Sequence, residues 1–262
     1  MPAQPILQVR GLSMAFGGLQ ALRRVDMEVY PGEIVGLIGP NGAGKTTLFA
    51  AISGFLVPTE GQVLFEGAPI TGLPPYRLAR MGIARTFQIV RPFSHLTVLE
   101  NVMVAAFLVH PHRVEAERAA REVLEWTGLA DRASMPARHL TLAGRKRLEV
   151  ARALALRPKL LLLDEVVAGL NPTEADQTVT LIQQIRERGI TIVAVEHIMR
   201  VIMRISDRIV VLNHGQKIAE GPPARVAEDP AVIEAYLGVG SAHEGVTAGH
   251  APGGAGARGG LR

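Results

Sequence analysis

Glycines, a lysine and two hydroxyls stand together in Gly39-Pro40-Asn41-Gly42-Ala43-Gly44-Lys45-Thr46-Thr47, in the order G-x-x-x-x-G-K-[ST]. Each residue type has a task there. Glycines let the chain curl until successive backbone N–H groups point at phosphate oxygens. Lys45 brings a cation to the β- and γ-phosphates of a nucleotide, and the Thr46 hydroxyl brings an oxygen to Mg²⁺. A helix starting at Lys45 aims the positive end of its dipole at the same anion. A second group, Asp164-Glu165, follows the apolar run Leu160-Leu161-Leu162-Leu163. Open parallel sheets bind ligands at the C-terminal ends of their strands. Asp164 is expected to reach Mg²⁺, directly or through water. Glu165 is expected to polarise the attacking water as general base. Alone, two acids at a strand end read equally well as a surface cap. Beside a phosphate loop they point to hydrolysis of ATP.

Such groups need a frame to hold them. Ile34–Ile38, Leu160–Leu163 and Ile190–Val195 are continuous apolar runs, as expected of strands buried on both faces. A helical run goes from Lys45 to about Ser53. Another covers Thr173–Arg188, with Thr173 and Asp176 spaced as a capping pair. This alternation predicts a parallel sheet with helices on its faces. Ile6–Arg10, Arg24–Tyr30 and Gln62–Glu66 read as strands of a small antiparallel layer. Periodicity from about Thr86 to Pro158 is mostly helical, with helices predicted over Glu115–Thr127 and Leu148–Leu156. This stretch is expected to form an inserted helical sub-lobe, about residues 88–158. Ile209–Asn213 and Gln216–Glu220 suggest a hairpin about His214–Gly215, and Pro230–Leu237 a last helix. The fold class is α/β, with one domain expected over residues 5–238. Eight of the 24 residues 239–262 are glycine, a composition expected to be disordered.

Bulk properties narrow the function classes. The 262 residues are 48% hydrophobic and 20% charged, which suits an ordinary globular domain. There is no cysteine, so disulfides, thiolate metal sites and a cysteine nucleophile are excluded. The net charge of +4 is too small to argue for nucleic acid. No stretch reaches the roughly 18 apolar residues that would read as a spanning helix, and Met1–Arg10 lacks a signal-peptide apolar run. A chain that is soluble alone and docks on a membrane protein is expected. Arg145, Lys146 and Arg147 read as a solvated helix face. His110 and His112 read as a surface loop rather than a metal site.

With both motifs in place, the chain resembles the ATP-binding subunit of ABC transporters, from Ile6 to about Gly238. The phosphate loop corresponds to that family's Walker A, and Leu160–Glu165 to its Walker B with catalytic glutamate. The resemblance implies further roles. Gln88, in Arg85-Thr86-Phe87-Gln88, falls at the glutamine that touches Mg²⁺ and the attacking water and reports to the membrane partner. His197, in Val195-Glu196-His197, falls at the histidine that contacts the γ-phosphate. Phe16 stands where an aromatic stacks on adenine. Taken singly, each of the three also reads as solvated, structural or core. Leu140-Thr141-Leu142-Ala143-Gly144 stands where most members have Leu-Ser-Gly-Gly-Gln. Thr141 keeps a capping hydroxyl, and Ala143 is compatible with the segment if its backbone angles are ordinary. Thr141, Ala143 and Gly144 would then complete the nucleotide site of an opposite subunit. Asn171 replaces the usual Asp in the loop after Glu165.

The phrases Gly169-Leu170-Asn171-Pro172, Arg85-Thr86-Phe87-Gln88 and Glu234-Ala235-Tyr236-Leu237-Gly238 resemble importer ATPases of the branched-chain amino acid class, the larger of their two ATPase subunits. That resemblance implies ATP and Mg²⁺ as ligands, membrane permease subunits and a second ATPase subunit (identical or distinct) as partners, and a solute-binding protein acting indirectly. It implies a peripheral position on the cytoplasmic face of the inner membrane. Alternatives at this stage are a urea or lipopolysaccharide-export ATPase, a soluble ABC ATPase without a membrane partner, an inactive binding module and a nucleotide kinase. The intact Lys45, Asp164, Glu165 and His197 speak against inactivity, and there is no arginine-rich lid for a kinase.

Overall fold

A computed structural model describes residues 4–240. β1 (Leu7–Phe16) and β2 (Leu19–Val29) form a hairpin. β3 (Ile34–Ile38) runs into the glycine-rich loop and α1 (Lys45–Ile52). β4 (Glu60–Phe65) and β5 (Ala68–Pro69) follow, then α2 (Pro75–Met81) and β6 (Ile83–Arg85). Three helices come next: α3 (Val98–Ala106), α4 (Arg113–Trp126) and α5 (Leu142–Leu154). The chain returns through β7 (Leu160–Asp164), α6 (Pro172–Glu187), β8 (Thr191–Val195), α7 (Met199–Ile205), β9 (Arg208–Asn213) and β10 (Gln216–Gly221). It ends in α8 (Pro223–Ala227) and α9 (Pro230–Gly240). The glycine-rich residues 241–262 lie outside the described residues.

Two sheets result. The first is antiparallel, in the order β2-β1-β4-β5, and the second runs β10-β9-β3-β8-β7-β6. From β9 to β6 every neighbouring pair is parallel, and β10 joins the edge antiparallel. Strand period 2 divides the core. Ile34, Ile38, Leu161 and Leu163 face the helices, whereas Val35, Leu37, Leu160 and Leu162 face the antiparallel layer and α1. The prediction of strands buried on both faces therefore holds at β3 and β7. Among the described residues, no helix is long and apolar enough to cross a membrane.

Several boundaries differ from expectation, each for a local reason. β1 is longer than predicted, because the strand continues through Gly11 at φ 57° with an irregular register there, and β2 begins earlier because its first residues pair with that extension. That glycine reads as a stop in sequence. α6 begins at Pro172 rather than Thr173. Asn171 Oδ1 accepts from Glu174 N at 2.9 Å and Glu174 Oε2 accepts from Asn171 N at 3.1 Å, so the capping box is Asn171–Glu174, not Thr173–Asp176. α5 starts at Leu142, six residues before the predicted Leu148. Residues 86–97 are irregular rather than helical, and β6, α2 and α7 carry too few residues to show a period.

Candidate active site

The phosphate loop is shaped by backbone. Gly39, Gly42 and Gly44 have φ of 150°, 79° and 102°, where L side chains are disfavoured. At Gly44 a Cβ would also lie 2.7 Å from the Ala21 carbonyl oxygen. α1 opens directly on this loop with no side-chain cap, so its first N–H groups remain available to an anion. Lys45 is buried, and its Nζ donates to Gly39 O at 2.7 Å and Pro40 O at 3.0 Å. Burial pushes the Lys45 ammonium down from its ordinary pKa, against an upward pull from Glu165 and Asp164. The loop borders a cleft of about 890 Å³.

The opposite wall comes from the ends of β7 and β8. Glu165 follows β7 with φ 50°. Its Oε2 accepts from Gln88 Nε2 at 2.8 Å, and its Oε1 lies 2.6 Å from His197 Nε2. Three residues distant in sequence thus meet at one carboxylate facing the phosphate loop. All three line the cleft together with Asn41–Thr47, and Phe16 lies half-exposed in the same wall as Leu19, Gln20 and Ala21. Asp164 sits behind this surface, 3% exposed. Thr141, Ala143 and Gly144 lie apart from the cleft, at the start of α5. There Thr141 Oγ1 accepts from Gly144 N at 3.2 Å, and Ala143 has no left-handed backbone.

Sequence reasoning missed several residues of this region. Arg85 donates through Nη2 to Asp164 Oδ2 at 2.9 Å and through Nη1 to Ser53 Oγ at 3.1 Å. Its guanidinium lies 5.4–5.9 Å from the ring centres of Phe49, Phe55 and Phe87, within cation–π range. An arginine closing an apolar strand just before Gln88 was the available signal. Lys146 corrects the expected solvated face: it is 8% exposed, and its Nζ donates to the Glu165 carbonyl at 2.6 Å. Glu196, between the apolar β8 and His197, is buried. Its Oε1 accepts from Val167 N at 3.1 Å, and burial pushes its carboxyl up to about 7. Arg23 and His214 also line the cleft, and nothing in their sequence context marked them. His110 lies 4.0 Å from Glu115 Oε2. Among the described residues, no three His, Cys, Asp or Glu come together to hold a metal.

A phosphate loop, an acidic strand end, and Gln88 and His197 converging on the second acid form the geometry of an ATPase cassette. Residues 22–168 match the ABC transporter family, and residues 216–242 match the family described as branched-chain amino acid ATP-binding cassette transporter. The chain belongs to the ABC transporter ATP-binding family and is an ATPase of a transporter complex. Within that family it is 44% identical to the high-affinity branched-chain amino acid transport ATP-binding protein LivG of Escherichia coli K12. The match covers 90% of this chain and 99% of LivG. A nucleotide-free ATP-binding cassette from an ABC transporter has the same fold, with a TM-score of 0.82 at 32% identity over 89% of this chain and 99% of that one. A dimeric post-hydrolysis cassette bound to ADP and Pi, MJ0796, reaches 0.74 at 26% identity, over 83% and 98% of the two chains.

Proposed function

We propose that this chain hydrolyses Mg-ATP to drive an importer for branched-chain amino acids or related small amides, with Glu165 as general base and Gln88 and His197 as its positioning partners. The observation that carries this reading is the meeting of Gln88 and His197 at the two oxygens of Glu165, at 2.8 and 2.6 Å, across the cleft from Lys45. A carboxylate held from both sides keeps one orientation toward a water on the γ-phosphate. Gly39–Thr47 supplies the amides and the Lys45 charge, and Phe16 offers its ring to the base.

Thr46 Oγ1, the Gln88 side-chain oxygen and the free oxygen of Asp164 are hard donors of the kind Mg²⁺ takes. Arg85 holds the other Asp164 oxygen and so aims the free one. Held there, Mg²⁺ would supply positive charge to the phosphates.

A second ATPase subunit, identical or distinct, completes the assembly. Thr141, Ala143 and Gly144 of each copy face the nucleotide of the other, because the start of α5 offers backbone N–H groups yet stands outside its own cleft. The helical sub-lobe docks membrane permease subunits at the cytoplasmic face of the inner membrane. Exposed Ile89, Phe93 and Phe107 of the sub-lobe support that docking, as do Phe55 and Phe87 beside it, their rings 5.5 Å apart. A solute-binding protein takes part through those subunits.

Vesicles reconstituted with the complete complex test this reading. ATP inside is expected to drive leucine uptake. Glu165→Gln is expected to keep ATP binding, accumulate a closed dimer and lower phosphate release by about 10²–10⁴-fold. Undiminished hydrolysis by that variant removes Glu165 from its role, and uptake of urea without leucine overturns the substrate.

A further inference from the structure

Glu165 stands on a backbone that L residues avoid, φ 50°, at the point where the chain leaves β7. Something must hold that conformation. Its N–H donates to Val195 O at 2.9 Å, which fixes one side of the peptide. The other side, the Glu165 carbonyl, accepts from Lys146 Nζ at 2.6 Å. Lys146 comes from α5, the helix that precedes β7, and its ammonium is buried. Two residues further on, Val167 N donates to the buried Glu196 at 3.1 Å. The turn 165–167 is therefore pinned from beneath by two side chains that do not themselves border the cleft.

A buried lysine is expensive to keep unless its charge is used. Burial lowers the Lys146 pKa, and Glu196, Glu165 and Asp164 raise it in return. Glu196, whose Oε2 has no hydrogen-bond partner, is one of the acids that favour the charged form of that ammonium. Nothing in packing alone asks for such an arrangement: a methionine would fill the same path from α5 with no charge to compensate. What the ammonium uniquely supplies is a strong donor at one carbonyl, that of Glu165.

We infer that Lys146 is a positioning residue for ATP hydrolysis: its bond to the Glu165 carbonyl holds the left-handed turn that aims the Glu165 carboxylate into the cleft. The inference rests on the assignment of Glu165 as general base. It predicts a specific kinetic signature, because Lys146 does not line the cleft. Losing it should leave substrate binding intact and misaim the base.

Steady-state ATPase assays of the complete complex, with wild type, Lys146→Met and Lys146→Arg side by side, test this. For Lys146→Met the expected result is a kcat lowered about 10–100-fold, the scale of a misplaced catalytic group. KM and the affinity for a fluorescent ATP analogue are expected to stay within about twofold. Lys146→Arg, which retains a charged donor, is expected to recover most of kcat. Circular dichroism and thermal melting verify the fold, and Lys146→Gln replaces the methionine variant if that one does not fold. Wild-type kcat in a folded Lys146→Met or Lys146→Gln overturns the inference, and so does a parallel loss of binding and kcat that arginine does not repair. A complete wild-type complex that binds ATP but never hydrolyses it sinks the underlying assignment instead.

Discussion

The two walls of the cleft are built by different means. The phosphate-loop wall is made of main chain: glycines at φ 79° and 102° turn the backbone, and the one charged side chain, Lys45, rests on carbonyls of its own loop. The acidic wall is made of side chains drawn from separate elements. Gln88 and His197 hold the Glu165 carboxylate, Lys146 holds its carbonyl, Arg85 holds Asp164, and Glu196 holds the next turn. A main-chain wall is a local property of nine consecutive residues. A side-chain wall is a tertiary property, and damage to one member propagates to the others.

Substitutions sharpen or break that contrast. The largest effect is expected at Arg85, where the Asp164 partner is buried and the pair is tightly enclosed. Arg85→Met leaves that carboxylate uncompensated and is expected to cost about 3–5 kcal/mol of folding stability, read from urea midpoints. A variant as stable as wild type would mean the acidic wall does not depend on its side-chain ties. Lys45→Ala comes next. Turnover is expected to fall ~10²–10³-fold, as for removal of one preorganised charge stabiliser, with weakened nucleotide binding by fluorescence titration. Folding stability should barely change, because burial already disfavours the Lys45 charge.

Glu196 gives the smallest and most specific signal. Burial raises its carboxyl from 4.5 to about 7, with Lys146 pulling it down and Glu165 pushing it up. The folded state therefore holds this proton over the window where the unfolded state has lost it. Stability from this group is present below pH ~4.5 and drains away as pH rises toward 7, by no more than ~1.4 kcal/mol per pH unit. Glu196→Gln removes that slope, which denaturation at a series of pH values reads directly. An unchanged slope would detach Glu196 from the titration.

Legibility in sequence follows the same division. Gly39–Thr46 and Leu160–Glu165 were readable because their geometry is set by neighbours in the chain. The double-sided burial of β3 and β7 was readable from uninterrupted apolar runs. Gln88, His197 and Phe16 emerged only through family resemblance, since no local pattern distinguishes them from ordinary surface or core residues. Arg85, Lys146 and Glu196 stayed hidden because a charge within a helix or strand end reads as solvated until its partner from another element is seen. The misplaced start of α6 had a different origin: two overlapping capping patterns, Asn171–Glu174 and Thr173–Asp176, compete, and Pro172 at the first helical position favours the earlier one.

One strand shows what such alternation demands of a protein. β7 offers four leucines in a row, chemically indistinguishable, so hydrophobicity carries no mark that tells one from the next. A slip by a single step would bury the strand just as well while exchanging its two faces, and would carry both acids out of line. The graduation has to come from a polar neighbour. Thr86 serves as that fiducial point: its N–H donates to Leu162 O at 2.9 Å, and its hydroxyl accepts from Asp164 N at 3.0 Å. A greasy ruler without numerals is thus read against one buried hydroxyl, and Asp164 takes part of its alignment from it.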